Sequence, residues 1–207
     1  MSAEGRSRRR WARLQERLAI TPGTEMAGTF AGFGEGSVIE GPQLLVAGAH
    51  AIRVGAGVTI LKLACLEAYA PEGSVVLEIG DGCYLSHNLR IVALNGVRIA
   101  DKVAMGQYVT VTDTIHDYKR FEGVTWEAPL KVGRPLEIGT EVWVGVGTVI
   151  VGGVTIGEKA IIGPNSVITR DVPPGAMVSG NPPRILKQLS DDGEWVPLAE
   201  ARPLGED

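Results

Sequence analysis

VGRPLEIGTEVWVGVGTVIVGGVTIGEKAIIGPNSVI, residues 132–168, decides how this chain folds. Every sixth residue is a branched aliphatic: Val132, Ile138, Val144, Ile150, Ile156, Ile162 and Ile168. Glycine follows five of these seven, at Gly133, Gly139, Gly145, Gly157 and Gly163. Four places after the aliphatic, a smaller or short-branched residue recurs at Val142, Thr148, Val154, Ala160 and Ser166. Six residues of α-helix turn through about 600°, so successive aliphatics would fall about 120° apart and form no common face. A plain strand alternates with period two, and glycine at every sixth place would weaken it. A coiled β-solenoid accounts for all three features. Each six-residue unit is one short strand and one corner, and three units close a triangular coil. The aliphatic points inward and stacks on its equivalents in neighbouring coils. The glycine eases the corner, where a side chain would crowd or φ must be positive. A Val/Gly-rich sandwich is the competing reading, but its turns would not recur at a fixed six.

The composition agrees with an elongated all-β domain carrying short end segments. The 207 residues include 28 glycines, as a corner-rich fold demands, and are 44% hydrophobic, enough for a sizeable core. A net charge of −4 argues against a general nucleic-acid binder. Cys65 and Cys83 have no metal-type spacing and make no disulfide framework, so they read as buried packing residues. No apolar h-region follows the charged N-terminus and no apolar run is long enough to span a bilayer. The expectation is therefore a cytoplasmic protein.

Outward from the repeat, three segments follow. Residues 1–36 are expected to be a basic helix and an irregular cap, with Trp11, Leu14 and Leu18 on one helical face. That helix suits covering the open first coil. Its basic face also fits weak contact with an anionic membrane or with a biosynthetic complex. Residues 37–179 carry the solenoid. The doublet Ile52-x-Val54-Gly55 matches Leu136-x-Ile138-Gly139 and reads as the same corner, while residues 66–76 interrupt the period as a turn. Residues 180–207 read as a turn, a short helix and a loosely ordered acidic tail.

One long break remains, residues 112–131, TDTIHDYKRFEGVTWEAPLK. A loop of that length costs stability unless it does something. It holds His116, and imidazole is the usual general base near neutral pH. A base there needs an orienting partner for its other ring nitrogen. Asp113, Asp117 or a backbone carbonyl can fill that role, and both carboxylates are also candidates to touch an acceptor.

Residues about 79–188 resemble the hexapeptide-repeat acyltransferases, and within them the galactoside, maltose and polysaccharide O-acetyltransferases. The resemblance is carried by the His-containing loop, Pro129-Leu130-Lys131-Val132-Gly133, Val142-Trp143-Val144-Gly145, Gly153-Val154-Thr155-Ile156-Gly157, Ser166-Val167-Ile168-Thr169-Arg170-Asp171-Val172-Pro173 and Gly180-Asn181-Pro182-Pro183-Arg184. It implies a left-handed parallel β-helix, a handedness that periodicity does not reveal. It also implies transfer of an acetyl group from acetyl-CoA, the acyl-donor substrate, to a sugar or glycan hydroxyl, with no metal required. His116 stands where the family keeps its base, which deprotonates the acceptor for direct attack, so neither cysteine is needed. Trp143 stands beside the reacting groups. Gly145 and Val146 stand where backbone amides meet the thioester end. Gly163, Pro164, Thr169 and Arg170 match the stretch along the CoA arm, and Arg184 and, less closely, Lys187 the nucleotide end. Pro164 departs from the family's usual alanine and removes an amide donor. On the acceptor side, Ser86 holds the place of an asparagine, and strand alternation puts Asn88 on the same face. Ala93 and Leu94 stand where an acidic sugar ligand is usual, which points to a different acceptor. The family also implies a homotrimer with active sites between subunits.

Three alternatives stay open. An amino group of a nucleotide-sugar is the nearest alternative acceptor. A γ-class carbonic anhydrase shares this fold and binds zinc through three histidines, and His50 and His87 lie a whole number of coils apart; the third ligand's close His pair is missing at Gly82 and Val92. A catalytically silent β-helix scaffold is the third, against which His116, Trp143, Arg170 and Arg184 count together.

Overall fold

The computed structural model describes residues 16–131 and 133–205. Six coils follow one another, each with three short strands. They are β1 (Gly32–Phe33), β2 (Val38–Ile39) and β3 (Leu45–Ala47); β4 (Ile52–Val54), β5 (Thr59–Ile60) and β6 (Cys65–Ala68); β7 (Leu77–Ile79), β8 (Tyr84–Leu85) and β9 (Arg90–Ala93). Then come β10 (Val97–Ile99), β11 (Ala104–Met105) and β12 (Thr110–Thr112); β13 (Leu136–Ile138), β14 (Trp143–Val144) and β15 (Val149–Val151); β16 (Thr155–Ile156), β17 (Ile161–Ile162) and β18 (Val167–Ile168). Strands three apart pair in parallel, giving a first sheet β1-β4-β7-β10-β13-β16, a second β2-β5-β8-β11-β14-β17 and a third β3-β6-β9-β12-β15-β18. The chain is a left-handed parallel β-helix with triangular coils.

The registers explain the period of six. Leu66, Ile91, Val111, Ile150 and Ile168 are matched coil to coil and all fully buried, so one aliphatic column runs up the third sheet. Ile60, Leu85, Met105, Val144 and Ile162 make the corresponding column of the second sheet. Each buried aliphatic contributes about 1.5–3 kcal/mol. Ile52-Arg53-Val54 and Leu136-Glu137-Ile138 both lie in the first sheet, so the two doublets do mark the same corner.

The corner glycines divide the two reasons offered for them. The glycine after the aliphatic is there for space: a Cβ on Gly145 would lie 2.6 Å from the Pro164 nitrogen, and one on Gly139 would lie 2.6 Å from the Glu158 nitrogen. The positive φ falls two residues later, on Asn88, Tyr108, Glu141, Lys159 and Asn165 or on Gly147. Gly133 plays neither part, since nothing lies near its Cβ position; the coil resumes at Leu136.

Several boundaries move. The solenoid starts at Gly32, not 37. Residue 68 still belongs to β6, so the interruption expected over 66–76 is an excursion of 69–76. Residues 16–18 are helical, and the rest of the expected N-terminal helix, with Trp11 and Leu14, lies outside the described residues. The C-terminal helix is not formed. After β19 (Ala176–Ser179) the chain reverses into β20 (Arg184–Leu189) and β21 (Trp195–Pro203), both antiparallel on the second sheet. RILKQL is too short to settle helix against strand by its pattern. The open edge at β19 decides it by offering unpaired backbone groups, and Ile185 turns into the core at 3% exposure. The tail expected to be loosely ordered supplies β21.

Candidate active site

Three edges join the three sheets. The second edge, between the second and third sheets, carries Ser86-His87-Asn88, Gly106-Gln107-Tyr108, Gly145-Val146-Gly147 and Gly163-Pro164-Asn165 in successive coils. The third edge, which leads from the third sheet into the next coil, carries His50, the 69–76 excursion, Asn95-Gly96, the long loop and Thr169-Arg170.

The long loop runs over 113–135 and is tied down at its root. Residues 115–117 face 129–131 in antiparallel fashion: the Asp117 amide donates to the Pro129 carbonyl (2.8 Å) and the Lys131 amide to Ile115 (2.7 Å). Asp113 is 3% exposed, and its carboxylate accepts from the amides of Leu94 (3.1 Å), Asn95 (2.6 Å) and Gly96 (2.6 Å). It therefore neither orients His116 nor faces an acceptor, as expected of it; it fastens the loop root to the coil below. His116 lies exposed above this root, and its Nδ1 sits 2.5 Å from the Ala128 carbonyl. A carbonyl only accepts, so Nδ1 carries the hydrogen, and in the neutral ring the lone pair is then on Nε2. The orienting partner is thus the backbone carbonyl of Ala128. The Asp117 side chain is exposed and makes no hydrogen bond among the described residues.

On the second edge the backbone leaves a repeated vacancy. Each corner's middle residue gives its carbonyl to a neighbouring coil: His87 to Tyr108 (3.0 Å), Gln107 to Gly147 (2.8 Å), Val146 to Asn165 (2.8 Å). The amides of His87, Gln107 and Val146 have no acceptor among the described residues. The Gly145 amide, expected to be a donor, already donates to Ile162 (2.7 Å), so Val146 is the residue with a free N–H there. In the sixth coil Pro164 has no N–H, and the Gly163 carbonyl accepts from the buried hydroxyls of Thr148 (3.1 Å) and Ser166 (2.7 Å). Trp143 projects from the second sheet beside this edge, 56% exposed, between Ala104 and Ile161. Arg184 stands opposite Ser179 at the top of the same edge, exposed, and Lys187 is half-buried three residues on.

Two further expectations change. β8 ends at Leu85, so Ser86 and Asn88 belong to a corner and strand alternation does not relate them. Ser86 is buried in the glycine position, and Asn88 takes the left-handed backbone position, φ 59°. Arg170 lies on the third edge, not beside Gly163, and its Nη1 donates to the carbonyls of Leu204 (3.4 Å) and Gly205 (3.5 Å). His50 and His87 sit on different edges, which sequence spacing alone could not show. Burial pushes both thiols up, Cys83 most plainly, away from the thiolate a nucleophile needs. One chain therefore splits the candidates. His116, Thr169 and Arg170 share the third edge, while Trp143, Val146, Gly163 and Arg184 gather on or beside the second.

Residues 135–170 match the family described as bacterial transferase hexapeptide (six repeats). A galactoside O-acetyltransferase of Escherichia coli is 35% identical over 118 residues, 56% of this chain and 55% of that protein. Nodulation protein L of Rhizobium meliloti is 41% identical over 109 residues, 53% of this chain and 58% of that protein. The chain thus spans little more than half the length of these curated relatives. Among solved structures, a hexapeptide-repeat acetyltransferase of Vibrio cholerae, complexed with acetyl-CoA, is similar with a TM-score of 0.55 and 27% identity, over 80% of this chain and 75% of that one. AntD, an N-acyltransferase from Bacillus cereus in complex with dTDP and coenzyme A, shares the fold at a TM-score of 0.67 and 20% identity, over 79% of this chain and 86% of that one.

Proposed function

We propose that this hexapeptide-repeat chain is an acetyl-CoA-dependent O-acetyltransferase acting on a sugar or glycan hydroxyl, with His116 as general base. The observation that carries the reading is the hydrogen bond from His116 Nδ1 to the Ala128 carbonyl. It fixes the tautomer in which Nε2 takes a proton. As Nε2 takes the acceptor proton, the acceptor oxygen bonds to the thioester carbonyl carbon and the carbonyl π pair moves onto oxygen. Collapse of that oxyanion breaks the carbon–sulfur bond, and the imidazolium returns its proton to the CoA sulfur. The free Val146 amide suits the oxyanion or the adjoining arm. Both cysteines keep their protons, in line with direct attack.

The division of candidates between two edges supports a site shared between subunits of a homotrimer. The third edge of one subunit supplies His116, and the second edge of its neighbour supplies Trp143, Val146, Gly163 and Arg184. The test is complementation. His116→Ala and Val146→Pro subunits, each inactive alone, are dissociated, mixed in equal amounts and reassembled. About a quarter of wild-type turnover, read as thiol release from acetyl-CoA, is expected when the two residues come from different chains and mix at random. A mixture as inactive as its parts would place both residues in one chain's site. A monomeric mass in solution with full activity would also remove the shared site.

A further inference from the structure

The outer face of the third sheet holds a buried carboxylate that the reading above does not use. Glu67 alternates with the inward Leu66 and so faces outward, yet it is only 7% exposed. One of its oxygens accepts from Arg90 Nη2 (2.6 Å) and the Cys65 thiol (3.4 Å), the other from the Tyr69 hydroxyl (2.6 Å). A carboxylate withdrawn from water destabilises a fold unless its lone pairs are matched. The same column carries Val92 and Thr112 one and two coils on, so the sheet itself needs no acid here. What Glu67 does is fix two exposed side chains. Arg90 keeps its other N–H groups without acceptors among the described residues, and Tyr69 leaves about half its surface, 48%, open. The Tyr69 hydrogen bond holds the Glu67 carboxyl below its usual range, and the same bond pushes the phenol up. The patch lies one coil below the strand that leads into the loop: Arg90 pairs with Thr110, three residues before Asp113 at the loop root.

We propose that Tyr69 and Arg90, held in place by Glu67, bind a neutral pyranose unit of the acceptor. The carbon–hydrogen face of the sugar ring lies on Tyr69, and neighbouring hydroxyls accept from the free N–H groups of Arg90. The unit is neutral because Glu67 cancels the charge of Arg90, leaving a planar donor fork without net attraction for a carboxylate or phosphate. The inference rests on the acceptor reading above and names its substrate class.

The intact protein is assayed with methyl hexosides and methyl glucuronide as acceptors. Tyr69→Ala is expected to raise the KM for the hexoside about tenfold, leaving the KM for acetyl-CoA unchanged; the thermal midpoint falls equally in Tyr69→Ala and Tyr69→Phe, since both strand the same Glu67 oxygen. Tyr69→Phe keeps the ring and most of the affinity; Arg90→Lys loses the fork and raises the KM as Tyr69→Ala does. Saturation-transfer NMR with the same glycosides reads the patch without turnover, so failure of the acetyltransferase reading is told apart from failure of this one. Transfer to a hexoside that disappears in Tyr69→Ala supports the patch. An unchanged KM in both Tyr69→Ala and Arg90→Lys, no saturation transfer in the wild type, or a preference for glucuronide would overturn it.

Discussion

The first and second edges of this prism use the same corner backbone, but in two coils the first edge treats its middle amide differently. On the first edge, between the first and second sheets, the Ala56 amide donates to the Asp81 carboxylate (2.7 Å), and the Asp81 amide to that of Asp101 (2.8 Å). On the second edge the middle residues from the third coil on are His87, Gln107, Val146 and Pro164, none of which offers a carboxylate, and the first three amides have no acceptor among the described residues. An exposed amide can still bond to water, so the open edge loses little stability. The difference teaches where to look on a solenoid: two coils of the first edge occupy their corner amides with carboxylates, and the second edge leaves those of His87, Gln107 and Val146 without an acceptor among the described residues. The third edge goes further and abandons the corner for the His116 loop.

Removing the proposed base is the strongest way to test what the third edge adds. His116→Ala should lower kcat by at least about 10²-fold, since general-base catalysis contributes 10²–10⁴. The thermal midpoint should not move, because the ring is exposed and held by a single carbonyl. Thiol release from acetyl-CoA and a melting curve measure both; undiminished turnover would remove His116 from the chemistry. Asp113→Ala should act in the other order, on stability first. It strands three amides that now share one carboxylate, a loss of about 3 kcal/mol. Denaturant unfolding reads that loss, and turnover should fall with it as the loop loses its root.

These two residues also mark how far sequence reasoning reached. The coils at 136–168 were legible because one inward column repeats six by six, and stacking permits no other register. His116 was legible as the histidine in the one long break. Asp113 was not, since its partners at Leu94, Asn95 and Gly96 lie a coil below and no local pattern links them. Gly145 and Val146 were both read as donors, and only Val146 is free, because which corner amide is consumed depends on the neighbouring coil's carbonyl. Arg170 was placed along the CoA arm with Gly163 by the family resemblance, though seven residues carry the chain across a whole sheet to another edge. The C-terminal strand escaped because an unpaired edge, not its own composition, decides its state.

Removing a donor from the second edge tests whether its free amide takes part. Val146→Pro removes the free amide and little else: Val146 and Pro164 hold the same corner position in adjacent coils, so proline fits that backbone. If the amide meets the thioester, kcat/KM for acetyl-CoA should fall about 10²-fold, with the thermal midpoint unchanged or slightly raised. A variant with unaltered kinetics would leave the free donor without a part in the reaction.

The smallest effect runs the comparison in reverse. Pro164→Ala gives the sixth coil the amide that its neighbours already have. The proline's fixed φ currently restricts the unfolded chain, so alanine should cost about 0.4–1 kcal/mol in stability. The recovered N–H lies one coil beyond Val146, and the Gly163 carbonyl beside it is already committed to Thr148 and Ser166. Any gain in donor affinity must therefore come from that one N–H. One added hydrogen bond from an exposed amide should lower the KM for acetyl-CoA about threefold. A KM that falls in Pro164→Ala but not when Val146→Pro is also present would show that the two amides hold one ligand in common, and that the open edge works as a column rather than as a single donor.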